Sequence, residues 1–384
     1  MKWEKVKIKE ICTGIYDGPH ATPPISSDGA IFLGITNFRN GRLDLSEIRY
    51  ISEADFPKWT KRVIPKENDI VFSYEATLNL YAIIPSGFRG CLGRRMALLR
   101  VNENKVYYKF LYYYFYSESW RRVIKTNTVL GATVDRIPLI KFPDFIVELP
   151  PLEMQYKIAN ILSSYDDLIE NNQKQIKLLE EAAQRLYKEW FVDLRFPGYE
   201  KTPIIDGVPE GWSFQKIGKV FEIKYGKTLS MNNILNKGKY PVYGANGVIG
   251  YYNQKNCDDY VVLVTSRGNG SGEVLRTHDK ESFITNNSFI IKPIKNFIKV
   301  PFIYQMLKTV DFKRICTGSA QPQLTNVSIN LIDILVPSDE IIKRFCQDSQ
   351  FYYNKIENLL KQNKNLTEAR ERLLPKLMDD ELEV

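Results

Sequence analysis

At 384 residues and a formal charge of +8, the chain is long enough for two or three domains, each burying its own core. A hydrophobic fraction of 44% with 26% charged residues excludes a disordered or disulfide-stapled chain. No run approaches ~18 uninterrupted apolar residues, so a membrane-spanning helix is excluded. The charged start Met1-Lys2-Trp3-Glu4-Lys5 lacks the apolar stretch of a signal peptide, and a cytoplasmic protein with no membrane contact is expected. Cys12, Cys91, Cys257, Cys316 and Cys346 form no C-x-x-C pair, which reads as reduced thiols rather than a zinc site.

The charge is unevenly placed. Lys and Arg less Asp and Glu give +6 over residues 1–148, −3 over 149–200, +7 over 201–334 and −2 over 335–384. Two separated basic blocks fit a polyanion partner, because phosphate neutralisation supplies much of such affinity.

In chain order, residues 1–148 read as short strands and turns, with strand-like runs at 31–35, 69–72 and 80–84 and a hairpin-type turn at Asn40-Gly41. An aromatic stretch over 107–120 has helical spacing, so Tyr112, Tyr113 and Tyr114 are expected in a core rather than on a base-stacking surface. Pro150-Pro151 opens a helix that should run from about 152 to 191, roughly 60 Å long at 1.5 Å per residue. Its apolar positions, from Ile158 through Ile169, Asn172, Ile176 and Leu179 to Leu186, step by four and three as a heptad seam. A second strand-rich block follows over 199–335, with strands at 261–264 and 289–291 and a helical stretch over 301–312. Pro337 opens the second helix, whose seam runs through Phe345, Ser349, Ile356, Leu359, Asn363, Leu366, Arg370 and Leu373. Ser349 and Arg370 predict weaker or partly exposed pairing there, and Pro375 should kink or end the helix. Each seam carries one Asn, a residue that fixes register at some cost in stability. If Asn172 faces Asn363, an antiparallel pairing puts Ile158 near Leu377 and Leu186 near Ser349.

The halves repeat. A shift of 187 aligns residues 131–186 with 318–373 without a gap, so that Ile169-Glu170-Asn171 falls on Ile356-Glu357-Asn358. The match is good in the helices and poor in most of the globular parts, as expected of two heads with different targets on one scaffold.

Signs of catalysis are few. His20 and His278 are the only histidines and lie in different blocks. Gly226-Lys227-Thr228 lacks the earlier glycine of a phosphate loop, and 268–273 has Glu273 where a dinucleotide fingerprint needs Gly. Glu222 and Lys224 match half of a nuclease metal site, a pattern that arises by chance, so a metal-dependent nuclease is an alternative reading. A coiled-coil adaptor binding only proteins is another. What the blocks offer instead is side chains suited to base edges and phosphates. In the first block these are Lys61, Arg62, Ser73, Arg94 and Arg95. In the second they are Lys227, Tyr243, Asn246, Ser266, Arg267, Asn269, Asn286, Asn287, Gln321 and Gln323.

The runs LPPLEMQYKIA (149–159), RLYKEWFVD (185–193) and ERLLPKLM (371–378), with NGRLDLS (40–46), PVYGANG (241–247) and VTSRG (264–268), resemble the specificity subunits of type I restriction–modification enzymes. The resemblance covers essentially the whole chain. It implies an α+β protein: two mixed α/β target-recognition domains separated by two long helices that form an antiparallel coiled coil, in a pseudo-twofold internal repeat. The domains would be 1–148 and 199–335, with helical regions over 149–198 and 336–384. It further implies that each domain reads one half of an asymmetric bipartite site in double-stranded DNA. The helices would space the halves and dock two methyltransferase (modification) subunits, which restriction/translocase subunits join. S-adenosylmethionine, ATP and magnesium would belong to those partners and no cofactor to this chain.

Overall fold

The computed structural model describes residues 3–131, 134–268, 270–318 and 322–379. The chain forms two compact units. One runs up to Glu170 and takes in the chain from Lys364 onward; the other is Asn171–Asn363. Each unit is therefore a head plus a stretch of both long helices. The division differs from the expected four segments, because the apolar face of each helix stretch is buried against a head and belongs to that head's core.

In the first unit, strand Glu4–Lys7 pairs antiparallel with Ile146–Leu149. A four-stranded antiparallel sheet follows, in the order Cys12–Asp17, Met96–Val101, Ile70–Ser73, Tyr81–Ile83. A smaller sheet has Ala30–Leu33 at its centre, parallel to Gly90–Leu92 and antiparallel to Arg49–Ile51. Phe38–Arg39 and Arg42–Leu43 form a two-residue hairpin. Its corner residues Asn40 and Gly41 both have positive φ (51° and 77°), as the turn type requires. The core packs the large sheet against helices Tyr108–Tyr114 and Glu118–Asn127, and Tyr112, Tyr113 and Tyr114 are all buried in it.

The second unit repeats the paired outer strands and both larger sheets in the same order, without a counterpart of the 38–43 hairpin among its described residues. Ser213–Lys216 pairs with Asp333–Val336. The large sheet runs Phe221–Tyr225, Ser288–Pro293, Val262–Thr265, Val274–Arg276. In the small sheet, Tyr240–Gly244 is parallel to Phe283–Ile284 and antiparallel to Gly247–Tyr252. Helix Val300–Lys308 covers the large sheet. The heads thus share a topology that their side chains scarcely reveal.

The central helix spans Leu152–Tyr187 and ends in a wider turn, Lys188–Val192; the C-terminal helix spans Asp339–Met378. Pro375 does not end the latter, since its last turn continues to Met378 and buries Leu377 and Met378 in the first unit's core. Proline so near a helix end removes a hydrogen bond that fraying would weaken anyway.

Within each unit the two helix stretches run antiparallel. In the first, Ile158 and Leu162 share a core with Leu377 and Met378, and Asp166 meets Arg370. In the second, Asn172 Nδ2 donates to Asn363 Oδ1 at 2.9 Å and Tyr187 packs on Phe345 with ring centroids 5.7 Å apart. Ile356 and Leu359 are buried, whereas Ile169, Ile176, Leu179 and Leu366 are half-buried. The expected exposure is corrected at Ser349, whereas Arg370 is half-buried. Ser349 is fully buried and its hydroxyl donates to the Phe345 carbonyl at 2.7 Å. Arg370 lies against the buried Asp166, which also accepts from Tyr113 Oη at 2.6 Å. Replacing Asn172 by Leu should strand the half-buried Asn363 amide and cost about 1 kcal/mol. Urea unfolding of the single and the Asn172→Leu/Asn363→Leu variants checks this: the double variant should recover the loss.

The repeat has a mechanical meaning in the helices. Glu170 and Glu357, equivalent under the 187 shift, each receive an arginine from their own head, Arg42 in the first unit and Arg276 in the second. One turn earlier, Tyr113 reaches Asp166 in the first unit, and Gln305 Nε2 reaches Tyr353 Oη at 3.1 Å in the second.

Candidate nucleic-acid interface

In each head, Arg94 and Arg95, or Arg267, Asn286, Asn287 and Gln323, lie in loops that meet at one end of the large sheet. In the first head, strands Cys12–Asp17 and Ile70–Ser73 end where Met96–Val101 begins. Beyond that edge Tyr74 N–H donates to the Arg95 carbonyl (3.2 Å) and Ala76 N–H to the Asp135 carbonyl (3.0 Å), while Ile137 N–H donates to the Tyr74 carbonyl (2.7 Å). Glu75 and Arg136 thereby face each other as a single antiparallel bridge. Tyr74 Oη donates to the Arg94 carbonyl at 3.0 Å and holds the Arg94-Arg95 turn.

The second head builds the same frame from other residues. Ser266 N–H donates to the Asn287 carbonyl (2.8 Å), Gly268 N–H to the Pro322 carbonyl (3.2 Å), and Leu324 N–H to the Ser266 carbonyl (2.9 Å). Arg267 and Gln323 form the bridge. Ser266 Oγ donates to the Asn286 carbonyl at 3.3 Å, the place Tyr74 takes in the first head. Gly226 N–H donates to the Ser288 carbonyl as Gly18 N–H does to Met96. At both glycines a Cβ would fall within 2.3 Å of a backbone oxygen, so only glycine lets the loops approach this closely. Bond by bond, Glu75 corresponds to Arg267, Arg94 to Asn286, Arg95 to Asn287 and Arg136 to Gln323.

Lys61 and Arg94 are exposed in the first head. Arg62, also exposed, is held by Asp17, and Arg95 Nε lies 3.6 Å from Glu75 Oε1. In the second head Lys227, Asn246 and Arg267 are exposed, and Asn286, Asn287 and Gln323 are half-buried. Thr265 Oγ1 donates to the Ala245 carbonyl at 2.7 Å, which brings the Asn246 turn into the cluster. Asn269 and Gln321 lie outside the described residues.

Three candidates are corrected. Ser73 is fully buried in its strand and its Oγ accepts from Leu80 N–H at 3.4 Å. Ser266 is fully buried behind its own loop. Tyr243 is buried, its hydroxyl donating to Asp279 and accepting from His278 N–H, and burial pushes its phenol well above the ordinary value. These polar groups hold the frame and do not face outward. Glu75 and Arg136 were missed by sequence reasoning, although the 187 shift already sets Arg136 on Gln323.

Glu222 and Lys224 lie on the exposed face of an edge strand and pair with each other at 2.6 Å. Lys224 keeps that carboxyl below the ordinary glutamate value. Among the described residues no group of three or more His, Cys, Asp or Glu is placed to hold a metal ion. No helix there is long and apolar enough to cross a membrane.

A family model described as the type I restriction modification DNA specificity domain matches residues 1–181 and 209–369. The chain is 26% identical over 365 residues to the type I restriction enzyme MjaIX specificity subunit of Methanocaldococcus jannaschii, covering 88% of this chain and 82% of that one. It is 23% identical over 322 residues to the EcoprrI specificity subunit of Escherichia coli, covering 78% and 74%. The crystal structure of the type I restriction–modification S subunit from M. genitalium has the same fold. Its TM-score is 0.61 at 21% identity, over 98% of this chain and 96% of that one.

Proposed function

The chain belongs to the type I restriction–modification DNA specificity family, and from that premise we propose that each head reads one half of a bipartite site in double-stranded DNA. It is a non-catalytic specificity subunit. The observation that carries the reading is the shared frame: both heads hold the same backbone scaffold at the same sheet end, and fill it with different donors and acceptors. A scaffold common to both halves with divergent polar tips is what two readers of unlike sequences need. Base edges are told apart by side-chain donors and acceptors, while backbone phosphates are served by any cation. Arg62 in one head and Lys227 in the other flank the frame and, with the exposed Lys61, suit phosphates.

In this reading two methyltransferase subunits dock on the helices and restriction/translocase subunits join them. S-adenosylmethionine, ATP and magnesium belong to those partners. The test is selection of duplex DNA from a randomised pool by the chain assembled with its methyltransferase partner. A two-part motif is expected, with affinity falling steeply as salt rises. Binding without sequence preference would sink the proposal.

A further inference from the structure

The two frames can be compared position by position, and the comparison says more than that both heads bind DNA. Three pairs of side chains occupy matching places: Glu75 and Arg267, Arg95 and Asn287, Arg136 and Gln323. Residues facing each other across an antiparallel bridge project side by side, so Glu75 with Arg136, and Arg267 with Gln323, each present one composite edge. In the first head that edge holds an acceptor. The Glu75 carboxylate, partly shielded, lies 3.6 Å from Arg95 Nε, a cation that aims it and can itself donate. In the second head the same place holds the exposed donor Arg267, and the flanking cations are replaced by the amides of Asn287 and Gln323.

Resting on the DNA-recognition reading above, we propose that these three pairs are equivalent base-reading stations. At the bridge station the first head accepts a hydrogen bond from a cytosine amino group, where the second head donates to guanine O6 and N7. A carboxylate can only accept, and cytosine N4 is a donor of the major groove; a guanidinium fork matches the two guanine acceptors. At the other stations Arg95 and Arg136 favour guanine, and Asn287 and Gln323 favour adenine, whose N6 and N7 match an amide.

The decisive experiment exchanges the bridge station. Wild type, Glu75→Arg, Arg267→Glu and the milder Arg267→Gln are each assembled with the methyltransferase partner and used to select randomised duplex DNA. Assembly is followed by size-exclusion chromatography. Arg267→Glu should alter the preferred base at one position of one half-site, disfavouring the original guanine by about tenfold, and leave the other half-site unchanged. Glu75→Arg should do the same in the opposite half, from cytosine towards guanine. Arg267→Gln should relax that position, which keeps the assignment testable if the charge reversal impairs folding. If the wild type selects a bipartite motif and the assembled variants select the same one, the stations are wrong and the recognition reading stands. If the wild type selects no motif, both are wrong.

Discussion

Arg276→Ala should remove about 3 kcal/mol from the stability of the second unit at neutral pH. The guanidinium is only 4% exposed; its Nη1 is 2.6 Å from Glu357 Oε1, and its carbon lies 4.9 Å from the Tyr353 ring centre. Alanine leaves a half-buried carboxylate without its main counter-charge and opens a space beside the tyrosine. The loss should depend on pH, and its sign follows from Glu357. Burial pushes this carboxyl up, but hydrogen bonds and charge from His278 and Arg276 outweigh it, and the net value lies below that of an ordinary glutamate. A depressed carboxyl contributes stability that is fully present above the unfolded value of about 4.3 and disappears as pH falls through the folded value. Urea unfolding of both chains at pH 7 and pH 3 should therefore show the gap narrowing in acid. A gap of equal size at both pH values would mean that the ion pair contributes little and that packing alone is lost.

Trp120→Ala should cost the first unit about 3–5 kcal/mol. Trp120 is fully buried, tilted against Phe115 with ring centroids 4.7 Å apart and edge-on to Phe142, and its indole N–H donates to Tyr81 Oη at 2.8 Å. The substitution removes the largest side chain of the core and leaves a phenol oxygen short of a donor. Thermal unfolding followed at tryptophan-free wavelengths, with Trp120→Phe as companion, separates the two effects. The phenylalanine variant should lose clearly less than alanine, and equal losses would put the cost on the hydrogen bond rather than on volume.

These two positions also mark how much was legible beforehand. Trp120 sits in an aromatic stretch whose helical spacing announced a core, and the heptad steps announced the long helices. Both are local periodicities that need no knowledge of the rest of the chain. Arg276 had no such signal. Its meaning comes from Glu357, which approaches only when a sheet edge meets a helix from a distant part of the sequence. The repeated triplet Ile169-Glu170-Asn171 and Ile356-Glu357-Asn358 was visible, but not that each of its glutamates waits for an arginine from its own head.

The interface divides along the same line. Basic heads, a missing catalytic cluster and the duplicated plan could be read from charge and repetition. Ser73, Tyr243 and Ser266 were misread because polar residues beside strands look like reading groups, whereas burial turns them into supports for the backbone. Glu75 was missed because an isolated acidic residue in a basic head carries no periodicity, whereas Arg136 had a signal in the 187 shift that sets it on Gln323. By itself, then, the sequence determined the repeat and the two helices, since each follows from spacing along one chain, while the Asn172–Asn363 register was only one pairing that the seams allowed until the structure placed the two amides together. Only the tertiary structure decided which loops meet at the sheet end and which side chains occupy matching stations. Those depend on pairings between strands far apart in sequence, which no local pattern encodes.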